Sequence, residues 1–165
     1  MRFQKDRRGP IDEVKWDRLI DWKDSPNDSI KYFSDEATYV KDFSIDNIPK
    51  GELYLDLGKV MVMAKVKLNG KDVGGVWTTP YRLNITKSLK AGKNELEITV
   101  VNNWRNRLIG DQKMAPAERK TWTTVNPWKA DSPLQSSGLL GPVEIINIKF
   151  YRYAFRAHVG IINYR

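Results

Sequence analysis

No cysteine occurs among the 165 residues, so disulfides and thiolate metal sites are excluded. Histidine occurs once, as His158. A His-rich metal centre therefore lacks ligands. A Ser-His-Asp or Cys-His arrangement would have to recruit that single residue, which stands in a basic tail with no visible partner. No apolar run approaches the ~20 residues of a membrane span, and no membrane association is expected. The opening MRFQKDRRGP has no apolar h-region of the kind a signal peptide needs. The chain is thus expected to be cytoplasmic, or a piece of a protein whose export signal lies elsewhere. Long helical periodicity is also missing: only IDEVKWDRLIDW (11–22) has helix-like spacing.

What is present is an ordinary globular composition, 41% hydrophobic and 29% charged. The length favours one domain, large enough to bury roughly two-thirds of its unfolded surface. Six Trp and seven Tyr either build a large core or supply flat contact surfaces. The net charge of +8 sits at the ends. Residues 1–8 hold Arg2, Lys5, Arg7 and Arg8 against Asp6, while residues 145–165 hold Lys149, Arg152, Arg156 and Arg165 without an acid. The body, 9–144, keeps only +1. Nucleic-acid binding needs cations clustered over a folded face, so no nucleic-acid partner is expected.

Alternation of period two dominates the chain. Leu53, Leu55 and Leu57 alternate with polar residues, as do Val60 through Leu68, Tyr81 through Ile85, and Leu96 through Val100. Each set gives one buried and one wet face, the signature of antiparallel sheets. Tyr39 and Phe43 mark an earlier strand, and PVEIINIKFYRY (142–153) a long late one, with a bulge expected at Ile145–Ile146 where the apolar parity shifts. Asn69-Gly70 is a two-residue hairpin turn, since both positions tolerate positive φ. Strands at this spacing predict a sandwich or jelly roll. The stretch Trp104–Gly141 breaks the pattern and holds three of the six indoles. A structureless connection of that length is often functional.

Glycoside hydrolysis needs two facing carboxylates, about 5–10 Å apart. Asp111, Glu118, Asp131 and Glu144 form no recognisable constellation, and no catalytic residue is assigned. A hard-cation site of acids and backbone carbonyls, with Ca2+ as the ion, stays open, although no EF-hand-type ligand run occurs and the metal ligands are unknown. No other cofactor is expected. Sugar recognition needs flat apolar faces and planar polar groups. VVNNWRNRLIGDQ (100–112) supplies both: Arg is a fixed fork of donors, and Asn donates and accepts at once. The competing reading is internal, with Arg107 paired to Asp111 and Trp104 capping the sandwich. Trp77 divides in the same way between sugar platform and edge packing, while Trp16 and Trp22 are assigned to packing.

These motifs together resemble a known family. AKVKLNGKDVGGVWTTPYRLNITKSLKAGKNELEITVVNNWRNRLIGD (64–111) is similar to the galactose-binding-like jelly-roll domain of large bacterial glycoside hydrolases. The resemblance is closest to the C-terminal β-sandwich of α-L-rhamnosidases, and looser to the sugar-binding domain of the β-galactosidase/β-glucuronidase superfamily. It rests on Leu68-Asn69-Gly70, Val73-Gly74, Trp77, Pro80-Tyr81, Asn84-Ile85-Thr86, Leu89 to Asn94, and Ser137 to Val143. Asp35 stands where that pattern has Gly, Asn84 where it has Asp, and 151–165 matches nothing in it. The resemblance implies an all-β jelly-roll sandwich of two antiparallel sheets, with a basic arm at 1–15, the sandwich at 16–150, and 151–165 as an extension or last strand. It implies that the catalytic acid and base lie on a separate barrel domain, so that this chain is not itself an enzyme. The expected partners are a plant or bacterial polysaccharide and a catalytic domain or subunit, in a periplasmic or extracellular setting. The expected glycan contacts are Trp77, Tyr81, Asn103, Trp104, Arg105, Arg107, Asp111 and Trp128. An autonomous carbohydrate-binding module, or a domain docking an acidic partner through its basic ends, are the alternatives.

Overall fold

The computed structural model describes residues 1–3, 9–10, 12–150 and 154–161, with side chains described as far as Ile148. Several basic residues that motivate docking through the chain ends, Lys5, Arg7, Arg8, Arg152 and Arg165, lie outside the described residues.

Eleven strands form among the described residues: β1 (Arg2–Phe3), β2 (Glu36–Ile45), β3 (Glu52–Asp56), β4 (Lys59–Met61), β5 (Met63–Leu68), β6 (Lys71–Val76), β7 (Arg82–Asn84), β8 (Gly92–Val101), β9 (Gly138–Gly141), β10 (Glu144–Phe150) and β11 (Ala154–Ile161). They make a five-stranded sheet in the order β1-β2-β8-β5-β6, a four-stranded sheet β11-β10-β3-β7, and a two-strand pair β4-β9. Neighbouring strands within each sheet run antiparallel. Alternation selects which side chains face inward. Leu96, Ile98 and Val100 of β8, Ala64, Val66 and Leu68 of β5, and Leu53 and Leu55 of β3 are all buried in one core. The expected all-β sandwich of two antiparallel sheets is the observed fold.

Turn chemistry fixes the register. Asn69 and Gly70 adopt φ of 55° and 76°, which suits a tight hairpin between β5 and β6. The Asn69 amide then bridges two turns: its Nδ2 donates to Ser88 O and Asn94 Oδ1, and its Oδ1 accepts from Glu95 N–H. Asn94, itself buried, donates to Lys90 O and Gly92 O. The two asparagines of the LNG and GKN motifs therefore satisfy the backbone where two hairpin ends meet. At Asn84, Oδ1 accepts from Thr86 N–H at 3.0 Å, so an amide caps this turn without the usual carboxylate. The bulge expected at Ile145–Ile146 is present against β11.

Two expectations require correction. Residues 60–68 are not one strand: β4 ends at Met61 and pairs with β9, β5 begins at Met63 and pairs with β8, and Val62 between them is exposed. The apolar parity runs through unbroken because both strands point alternate residues into the same core. The helix-like spacing of 11–22 does not produce a helix over the described residues 12–21. Instead Val14, Trp16 and Leu19 lean on the sandwich as an irregular strap, with Trp16 packed 6.2 Å from the Tyr39 ring. A short isolated helix is marginal, and this segment gains more by lying against the sheet. Asp35, which stands where the resembling pattern has Gly, has φ 158°.

The DW and SSGLLGPV motifs meet at one buried point. Trp22 is fully buried, and its Nε1 donates to Tyr39 Oη at 2.6 Å. Leu139 N–H donates to the same phenol oxygen at 3.2 Å. Asp21 Oδ1 accepts from Ser137 N–H at 2.9 Å. Gly138 is required here: it sits at φ 88°, and a Cβ would lie 2.4 Å from the indole nitrogen. Tyr39→Phe leaves the indole N–H and the Leu139 amide without their acceptor and is expected to cost about 1–3 kcal/mol, read as a lower urea midpoint. Burial also holds the Tyr39 phenol above its ordinary value. The unfolded chain ionises first, so stability from this site is intact below about pH 10 and fades as pH rises further. The wild type should therefore lose more stability than Tyr39→Phe between about pH 9 and 11, measured by denaturation at each pH.

Candidate functional site

β6 and β8 run parallel to each other across β5, because Ala64 pairs with both Val76 and Val100. The chain therefore leaves both strands at the same end of the sandwich, toward Trp77 from β6 and toward Trp104 from β8. Val62 and Met63 enter β5 at that end. The exposed large hydrophobic residues of the described chain are Val62, Met63, Trp77, Trp104, Trp122 and Val125, with Ile48 the one lying elsewhere on the chain between β2 and β3. Soluble domains rarely gather such residues without a partner.

The segment expected to be an irregular connection contains a helix, α2 (Arg105–Asp111), starting directly after Trp104. Its seven residues are too few to stand out as a period in the sequence. Polar side chains fasten it inward. Asn102 Nδ2 donates to Phe33 O, and the Asn103 carbonyl accepts from Ser34 Oγ. Asn103 Nδ2 donates to Gln135 Oε1, while Asn106 exchanges two hydrogen bonds with the Gln135 backbone. The asparagines of the NNWRN stretch thus bind neighbouring chain.

Arg107 and Asp111 lie one helical turn apart, 3.0 Å between Nη2 and Oδ1, and each side chain is only 2% exposed. Asp111 Oδ2 accepts from Thr121 N–H at 2.9 Å and from the Thr121 hydroxyl. Arg107 also stands over the Tyr32 ring. Of the two sequence readings for this pair, the geometry is that of the internal one. The pair draws residue 121 against α2 and so places Trp122, which is 86% exposed.

The other expected contacts divide by position. Arg105 lies 4.1 Å above the half-buried Trp128 ring and donates to Pro133 O. Trp104 is 45% exposed. Trp77, 69% exposed, and the half-buried Tyr81 belong to a separate connection, and neither lines the hollows around α2. Two such hollows, of about 540 and 470 Å³, share Leu108 and Lys120–Thr123. Sequence reasoning left out Trp122, Arg119 and Lys120, because KTWTT carries no period that would single out one indole. Among the described residues no group of three or more His, Cys, Asp or Glu side chains converges as a metal site.

With this geometry in place, comparison gives the class. The glycosyl hydrolase 2 galactose-binding domain-like family matches residues 21–135, and the chain belongs to that family. The chain is similar to a rhamnosidase from Novosphingobium sp. PP1Y, 45% identical with a TM-score of 0.80, covering 87% of this chain and 14% of that one. It is also similar to a Formosa agariphila protein named "Putative beta-glucuronidase", 40% identical, covering 82% of this chain and 14% of that protein. Both enzyme classes to which the motifs point are represented. The chain spans about one-seventh of the length of each of these relatives. The SGLLGPV motif lies just beyond the matched span, although its packing on Trp22 joins it to the same sandwich.

Asp111→Ala is expected to leave Arg107 buried without its partner and to cost about 3–5 kcal/mol. The double change R107M/D111L should cost much less, because no lone charge remains. Denaturant midpoints of both variants check this, and equal losses would contradict an internal pair.

Proposed function

We propose that this chain is a non-catalytic module of a glycoside hydrolase, and that the end of the sandwich bearing α2 faces glycan. The observation that carries this reading is the collection of exposed indoles at that end, above a layer of polar side chains already committed to one another. An indole face suits the C–H side of a sugar ring. The acids nearby do not read as a catalytic pair: Asp111 is buried in its ion pair, and Glu118 is exposed on a short 3-10 turn. Val62 and Met63, apolar and half exposed on the same end, favour a second contact of this end with a catalytic domain.

The purified chain should bind oligosaccharides yet release no chromophore from aryl-glycosides. Trp104→Ala should weaken glycan binding about tenfold with little loss of stability, measured by calorimetry and thermal unfolding. Turnover abolished by a single carboxylate substitution would overturn the reading.

A further inference from the structure

The charge of the body is unevenly placed. Segment 104–132 holds Arg105, Arg107, Lys113, Arg119, Lys120 and Lys129 against Asp111, Glu118 and Asp131, a net +3, whereas residues 9–144 as a whole carry +1. The two hollows beside α2 concentrate this excess. Arg119 and Lys120 are exposed there, and no ion pair or hydrogen bond holds either side chain among the described residues. The single acid in the lining is Asp111, whose side chain is 2% exposed, ion-paired to Arg107 through Oδ1 and accepting from Thr121 through Oδ2. Trp104 and Trp122 wall the adjoining hollow.

A neutral sugar pairs its hydroxyls with groups that donate and accept, and it leaves a bare cation uncompensated. Besides the neutral Gln112 and Asn126 amides and the threonine hydroxyls, these hollows offer two cations and no free carboxylate. A ligand that brings its own acceptors fits better: a carboxylate or sulfate takes the Arg fork and the Lys ammonium as charge-assisted partners, while the ring covers an indole. We infer that the hollows beside α2 recognise an acidic glycan, through Arg119 and Lys120 for the anionic group and Trp104 and Trp122 for the ring. This rests on the proposed glycan-facing role of that end and names its ligand class. Indoles with cations also suit single-stranded nucleic acid, but such sites track a backbone over ~4–16 nucleotides with a continuous positive groove, and two adjacent cations do not make one.

The test is calorimetry on the 165-residue chain with galactotriose, trigalacturonate and sulfated galactotriose, at ~0.05 and ~0.5 M salt. One or both anionic trisaccharides should bind at least roughly tenfold tighter than galactotriose at low salt, with the gap closing at high salt. The two anionic arms separate carboxylate from sulfate recognition. R119Q/K120Q should erase the preference without moving the thermal midpoint, and Trp122→Ala should weaken the anionic ligands. Galactotriose binding as tightly as both anionic ligands, or a preference that survives R119Q/K120Q, overturns this inference and leaves the module reading standing. A folded chain that binds none of the three overturns both. Tighter binding of a thymidine hexanucleotide than of any trisaccharide also overturns it.

Discussion

Arg107 and Asp111 place two opposite charges inside the protein, one helical turn apart, and the loop end of the sandwich is organised around them. Each would be costly alone at that depth, so each requires the other. Asp111 has capacity for more than one donor and uses it on the backbone and hydroxyl of Thr121. A helix of seven residues has little stability of its own. Here it is held by Asn102, Asn103 and Asn106 below and by the ion pair within, and the chain that follows is tied back to it. Trp122 protrudes because its neighbour is pinned.

The sandwich beneath supplies a fixed base by a similar device. Buried polar atoms are satisfied by groups distant in sequence: Tyr39 accepts from Trp22 and Leu139, and Asn69 joins the turns at Ser88 and Asn94. These bonds tie Trp22 and the late strand β9 to β2, and the β5–β6 turn to the chain around β8. Membership in the galactose-binding-like family of glycoside hydrolases accounts for the frame. The basic character of the hollows comes from Arg119 and Lys120 of the loop that follows α2.

The sheets were legible in the sequence because period-two burial is local: β2, β3, β5 and β8 each announce which face turns inward, and Asn-Gly specifies its turn through backbone sterics. The change of sheet at Met61–Met63 was not legible, since both strands keep the same inward parity. The Val14–Leu19 strap mimicked helical spacing because its apolar residues touch the sheet at irregular intervals. At the candidate site, the dense Asn-Arg-Trp mixture falls on α2 and the turn that leads into it. Which side chains point inward depended on partners ten or more residues away, Thr121 for Asp111 and Gln135 for Asn106, and spacing carries no record of them. Trp122 does not stand out among the three indoles of that stretch for the same reason, its position being set by what its neighbour binds.

The most direct measurement of this account is the amide exchange rate of Thr121, whose N–H donates to Asp111 Oδ2 at 2.9 Å. An inner layer that fixes an outer contact surface predicts that Thr121 is protected while Trp122 and Thr123, one and two residues on, exchange freely. Exchange at Thr121 as fast as at its exposed neighbours would contradict the account, because the loop would then carry its indole without support from the buried pair.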